Sequence, residues 1–274
     1  RPYGVLCEFD CVMVRHARLT ATPLTVNESP VTVVVTAVAD SPALRTCLAH
    51  VRTQAHGLGG EVLLVMNTAP AELSAEARQA LEGHCDRLTF EARVGKSHAL
   101  NTAVCLSRGQ VIAFTDDDAE PLPGWLAAIT APLLAPDRDA ALVGCGGPVL
   151  PVYPDGPVPD WFRAMIEGGS TAFLTPRHDL GAVPRDYEVG GKASRSMPPG
   201  ANCAYRREVF TSYHYDPRLG PNRQTGLRGG EDALLGRLLL RDGYRLRYCP
   251  EARVHHPVHP DRMTMACLRR SYYV

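Results

Sequence analysis

The chain has 274 residues, of which 45% are hydrophobic, with 29 Lys and Arg balancing 29 Asp and Glu. That composition can fill one large domain or two closely joined lobes, and it excludes global disorder. Zero net charge leaves no basic excess to neutralise phosphates, so no nucleic-acid partner is expected.

No run of about 18 apolar residues is present that could cross a membrane. The start, Arg1-Pro2-Tyr3-Gly4, has no apolar segment of the signal-peptide kind. The missing initiator Met and the stop at Val274, inside what reads as a helix, suggest a longer native chain. The nine cysteines are odd in number and scattered, with no C-x-x-C pair. They are expected as free thiols in a reducing compartment, which predicts a cytoplasmic location.

Residues 1–30 are weakly patterned and are read as an N-terminal extension, a short hairpin and a linker. The β-branched run 31–36 does not alternate, so it predicts a strand buried on both faces. Asp40-Ser41-Pro42 opens a helix whose apolar face is Leu44, Cys47, Leu48 and Val51. A second buried strand is expected over 61–66, a helix over 71–81 and a short strand over 87–90. A helix over 98–107 and a buried strand over 111–115 follow. Strand and helix alternating at this spacing predict a parallel sheet covered by helices. Residues 144–200 are rich in Gly and Pro and show no long periodic segment. Such a stretch is expected to be functional or mobile. Regular structure returns with a helix over 231–241, stopped by Gly243, and a strand over 244–248.

Five segments carry chemistry. Asp116, Asp117 and Asp118 follow directly on a buried strand, where ligands of open α/β sheets bind. Three anions together need compensation, and a divalent metal holding a diphosphate supplies it. A solvated acidic turn is the structural alternative. Glu231 and Asp232, after Gly229-Gly230, stand at the start of a helix. They are either dipole-favoured caps or a carboxylate base at the mouth of a cleft. His255, His256 and His259 crowd one short segment, and neutral imidazole is a good metal ligand. Lys96 precedes a helix that contains Asn101, where it could meet a diphosphate, although the P-loop pattern is absent. Gly200-Ala201-Asn202 either lines a sugar site or turns into a strand.

In order, VTVVVTAVADSPALRTCLAHV, EVLLVMN, GKSHALNTAV, AFTDDDAEPLPGWL, PPGANCAYRREVF and GGEDALLGRLLLRDGYRLRYCPEARVHHP resemble the family-2 glycosyltransferases of GT-A fold. The resemblance covers 31–262. It implies a mixed, mostly parallel α/β sheet flanked by helices, with a nucleotide-sugar-binding half over 31–125 and a loop-rich acceptor half over 126–262. The start of a C-terminal helix follows over 263–274. The implied donor is a nucleotide-diphosphosugar and the implied cofactor Mn²⁺ or Mg²⁺. Asp116 and Asp118 match the family's D-x-D motif, with Asp116 toward the ribose, Asp118 on the metal and Asp117 supporting the turn. His256 completes the metal shell or touches the diphosphate. Asp232 matches the base position of an inverting single displacement, and Glu231 stays an alternative.

Thr36, Ala37 and Asn67 match positions bordering the nucleotide base. Lys96 and Asn101 fall near the nucleotide, and Gly200, Ala201 and Asn202 near the sugar. Relatives commonly carry an Asp where this chain has Met66. That departure leaves the base open, and a UDP-sugar is the first expectation. Trp161, Phe162, Tyr187 and Lys192 are candidates for an acceptor wall, and the acceptor is a carbohydrate, a lipid-linked molecule or a small molecule. Arg269, Arg270, Tyr272 and Tyr273 suit either peripheral membrane contact or an ordinary packing helix. The alternatives are a nucleotidyltransferase that makes nucleotide-sugars and a degenerate sugar-nucleotide-binding protein. The first lacks its Gly-rich basic loop over 36–41, and the second would be expected to have lost its acidic pairs.

Overall fold

Every residue of strand β1 (Val31–Ala37) is buried, because the strand is central and both of its faces carry core. The computed structural model describes residues 29–167, 177–188, 197–224 and 229–272. The expected hairpin before Pro30 falls almost wholly outside the described residues, as does Lys192.

Helix α1 (Pro42–Gly57) starts where expected. The Ser41 hydroxyl accepts from the Leu44 N–H at 3.1 Å, and Pro42 occupies the first turn. Its predicted face of Leu44, Cys47, Leu48 and Val51 is buried. Strand β2 (Glu61–Met66) agrees with its expected bounds. The helix expected over 71–81 is instead divided. A 3₁₀ turn spans Pro70–Glu72, and α2 (Ala75–Glu82) begins afresh where Ser74 caps the Ala77 N–H at 3.2 Å. Strand β3 (Arg87–Phe90) leads to α3 (Lys96–Leu106), which starts two residues earlier than predicted because Gly95, at φ +131°, turns the chain into it.

Strand β4 (Val111–Asp116) and the two-residue β5 (Glu120–Pro121) precede α4 (Trp125–Leu134). The aperiodic stretch contains β6 (Leu142–Gly146), β7 (Val149–Val152), α5 (Asp160–Glu167) and β8 (Arg185–Asp186). The strands among them are too short to show a period. Strand β9 (Cys203–Arg206), α6 (Glu231–Arg241), β10 (Arg245–Tyr248), β11 (Val254–Pro257) and α7 (Met265–Tyr272) complete the order.

The large sheet runs β3-β2-β1-β4-β9-β6-β10-β8, and only β9 and β8 run against the rest. This is the mixed, mostly parallel sheet expected. On one face Val31, Val33 and Val35 pack with residues of α1 and α4; on the other Val34 packs with residues of α3 and α6. Alternate residues of one strand thus enter two different cores, so the run shows no polar alternation.

A second sheet, β5-β11-β7, was not anticipated. Asn202 ties it to the first. Its carbonyl oxygen accepts from Trp125 Nε1 at 2.8 Å, and its amide donates to the carbonyls of Pro148 (2.8 Å) and Ala252 (2.6 Å). Trp161 and Phe162 meet edge to face at 5.4 Å in a satellite cluster with Val258, Cys267 and Leu268. Those aromatics and α7 therefore pack against one another. Among the described residues no helix is long and apolar enough to cross a membrane.

The approach to β4 leaves no room for a side chain. A Cβ on Gly109 would lie 2.2 Å from the Thr32 nitrogen and 2.5 Å from the Val31 carbonyl carbon. Gly109→Ala must move backbone, and we expect a loss of about 2–3 kcal/mol. Urea unfolding should show a lower midpoint with an unchanged slope.

Candidate active site

Strands β1, β2 and β4 end at one edge in register, with Thr36 opposite Asp116 and Ala37 opposite Met66. A cleft of about 380 Å³ opens beyond these ends. Thr36, Ala37, Asn67, Lys96, Asp116, Asp117, Asp118 and His256 line it. Most of the predicted donor-side and metal residues are thus brought together. Met66 is fully buried in the core and does not enter the cleft.

The acidic cluster is compensated from two sides. Lys96 Nζ forms an ion pair with Asp116 Oδ1, the two side chains being 20% and 23% exposed. His256 Nε2 lies 3.3 Å from Asp116 Oδ2 and 3.4 Å from Asp118 Oδ1. Burial disfavours ionised Asp116, but Lys96 and His256 outweigh it and hold its carboxyl well below the usual range. Burial likewise opposes charge on Lys96, and Asp116 and Glu231 reverse the effect, so its ammonium is firmly protonated. Asp117 has no such ion pair among the described residues, and burial, then Asp116 and Asp118, push it up to about 6 against the weaker pull of Lys96. One ligand atom each from Asp116, Asp118 and His256 lie within 4.8 Å of one another. Two carboxylates and an imidazole suit a divalent cation such as Mn²⁺ or Mg²⁺. Alternation along β11 turns His255 the other way, with its Nδ1 4.0 Å from Glu120.

Glu231 and Asp232 occupy the first turn of α6, and their side chains part. Asp232 Oδ2 accepts from the Gly200 N–H at 2.8 Å. Glu231 is 4% exposed, and its Oε2 has no hydrogen-bond partner among the described residues. Burial first, then the adjacent Asp232, push Glu231 up to about 7, against the pull of Lys96.

Three predicted asparagines serve the backbone. Asn67 lines the cleft, but its amide donates to the carbonyls of Glu91 (2.9 Å) and Arg93 (2.7 Å), and its oxygen accepts from Gly95 N–H (3.1 Å). Asn101 lies away from the cleft and clamps the Tyr215 backbone through both its amide nitrogen (2.8 Å) and oxygen (3.0 Å). Asn202 is the fully buried link between the sheets. Asn101 and Asn202 are thus placed structurally rather than against the cleft, because an amide satisfies a backbone pair as well as it does a ligand. Gly200 meets Asp232, and the Ala201 carbonyl accepts from Thr115 Oγ1 at 3.0 Å; neither lines the cleft. Tyr187 is buried and stacks on His178 at 5.8 Å.

Sequence reasoning missed Arg223 and Arg262, which also line the cleft. The only local signal was a basic residue close after the histidine run.

The profile of glycosyl transferase family 2 matches residues 32–213. A curated relative, the glucosyl-dolichyl phosphate glucuronosyltransferase of Haloferax volcanii, is 25% identical over 174 residues, covering 63% of this chain and 50% of that protein. The structure of GalNAc-T7 with UDP, GalNAc and Mn²⁺ superposes with a TM-score of 0.58 at 18% identity, over 85% of this chain and 44% of that one. The mannosyltransferase PcManGT of Pyrobaculum calidifontis, in complex with GDP-Man and Mn²⁺, gives 0.54 at 20% identity, over 90% of this chain and 61% of that one. The chain therefore spans half the length of the curated relative it matches and shares its fold with the two solved structures.

Two outcomes follow from the geometry. Asn202→Ala leaves Trp125 Nε1 and two carbonyls unpaired, so thermal or urea unfolding should show a loss of about 3 kcal/mol. A residue that only bound ligand would leave unfolding unchanged. Glu231 titrates near 7 when folded against an ordinary 4.5, so its burial costs stability as pH rises between those values. Glu231→Gln should gain on the wild type from about pH 5 to about pH 8, by up to about 3 kcal/mol in urea titrations. A constant difference across that range would refute the assignment.

Proposed function

The chain belongs to glycosyl transferase family 2, and from that premise we propose that it moves a sugar from a nucleotide-diphosphosugar to an acceptor hydroxyl. The observation that carries this reading is the convergence of Asp116, Asp118 and His256, with Lys96 behind them, at the carboxyl ends of the parallel strands. Those three residues would hold Mn²⁺ or Mg²⁺. When bound, the metal supplies positive charge against the departing diphosphate.

The remaining steps belong to side chains of this protein. Asp116 faces the ribose side and is kept ionised by Lys96. Thr36, Ala37 and the loop held by Asn67 border the base. UDP-sugars are the donors of first choice, and relatives of known structure carry UDP or GDP-Man. Asp232 accepts the proton of the acceptor hydroxyl as that oxygen attacks the anomeric carbon. The bond to the diphosphate breaks in the same displacement, so the anomeric configuration inverts. Glu231 suits this role less well because it is buried. The curated relative, named for a glucosyl-dolichyl phosphate substrate, favours a lipid-linked acceptor among those open. In this reading 31–125 forms the donor half and 126–262 the acceptor half. The seven described cysteines are free thiols, which supports a reducing, cytoplasmic setting.

A thermal-shift panel of nucleoside diphosphates and nucleotide-sugars, with and without Mn²⁺ or Mg²⁺, tests the donor site directly. A metal-dependent rise with one nucleotide is expected. Asp118→Ala should abolish that rise. Asp232→Asn should keep it and lower turnover at least about a hundredfold. Near-normal turnover in Asp232→Asn would remove Asp232 as the base.

A further inference from the structure

Within the cleft, Lys96 is committed to Asp116, and His256 to Asp116 and Asp118. Two guanidinium groups remain. Neither Arg223 nor Arg262 has a side-chain hydrogen bond or ion pair among the described residues, yet both line the cleft. The nearest acid in sequence to Arg262 is Asp261, which lies 3.4 Å from His259 instead.

Their supports differ, and both are anchored. Arg223 follows a loop stitched to the start of α3. There Lys96 N–H donates to the Pro221 carbonyl at 3.0 Å, Asn222 Nδ2 to the Val94 carbonyl at 3.1 Å and Ser97 Oγ to the Leu219 carbonyl at 2.8 Å. Arg262 stands on the 3₁₀ turn Pro260–Met263 just after β11, with buried Val258 holding the Val152 carbonyl at 2.8 Å. One arginine thus belongs to the segment packed on Lys96 and the other to the turn that follows the strand carrying His256. A guanidinium offers a planar fork matched to phosphate oxygens. Two of them, without acids and beside a metal-ligand set, make a receptor for an anion of more than one charge.

We propose that Arg223 and Arg262 are the two arms of a clamp on the diphosphate of the donor. This rests on the donor reading given above. As the bond from the anomeric carbon to the phosphate oxygen breaks, its electron pair stays on that oxygen, and the clamp meets the added negative charge. The leaving nucleoside diphosphate is then held by the same arms until it departs.

The test is calorimetric titration of wild type, Arg223→Gln, Arg262→Gln and the double variant with Mn²⁺ alone, with UDP plus Mn²⁺, and with inorganic pyrophosphate plus Mn²⁺. Each single variant should weaken UDP binding, and the double variant should weaken it at least about tenfold. Affinity for Mn²⁺ alone should hold or rise, because two positive charges have left the cleft. Lysine in place of either arginine should restore part of the loss. Unchanged UDP affinity, a loss carried by one arginine only, or a parallel loss for Mn²⁺ alone would each overturn the clamp. Wild type that binds pyrophosphate through the arginines, but no nucleoside diphosphate across a panel of bases, would overturn the donor reading and keep the clamp. Wild type that binds neither would overturn both.

Discussion

A carboxylate at the end of a buried strand stays ionised only if positive charge is held beside it. Asp116 is in that position, and Lys96 is the charge. Much of the local architecture serves that pair. Gly95 turns the chain so that α3 begins at Lys96. Asn67 uses its whole amide to hold the 91–95 loop that leads there. Glu91, nearby, accepts from Arg93 and Thr102, which outweigh burial and keep its carboxyl at about 2. A removed ammonium would leave His256 as the one direct ion-pair partner of the acidic cluster among the described residues, and burial would then favour protonation of the carboxylates.

The two acids that open α6 illustrate how environment divides like groups. Adjacent residues on a helix point about 100° apart. Glu231 therefore falls inward beneath Gly220, where a Cβ would lie 3.3 Å from its carboxyl carbon, while Asp232 reaches the backbone of Gly200. The inward acid is held near neutrality, and the outward one keeps a backbone donor. Two neighbouring carboxylates in such different surroundings, one buried and one bonded to backbone, are suited to different tasks.

Much of the fold was legible because burial on both faces writes continuous apolar runs. β1, β2 and β4 could be read for that reason, and α6 because its leucines repeat at helical spacing. The 71–81 segment misled because apolar spacing continues across Ser74, whose capping hydroxyl restarts the helix. β9 inserts antiparallel among parallel strands, and four residues cannot announce direction. The second sheet is built from strands of two to four residues, below the length at which a period shows. In the site, the contiguous Asp116-Asp117-Asp118 and the histidine run were visible as clusters. Asn101 and Asn202 looked similar to cleft asparagines, yet both satisfy backbone groups. Arg223 gave no signal and Arg262 only its place close after the histidine run, since only the folded chain brings them to the same cavity.

The bridge at Asn202 has a further consequence. It joins the sheet that carries Asp116 to the sheet that carries His256 with uncharged groups only, all of them buried. Dissolved ions screen exposed charges over roughly 10 Å at moderate concentration and leave such dipolar contacts untouched. Ionic strength therefore tunes how strongly the cleft attracts an anion or a cation, while the spacing between its two halves stays as the neutral bridge sets it.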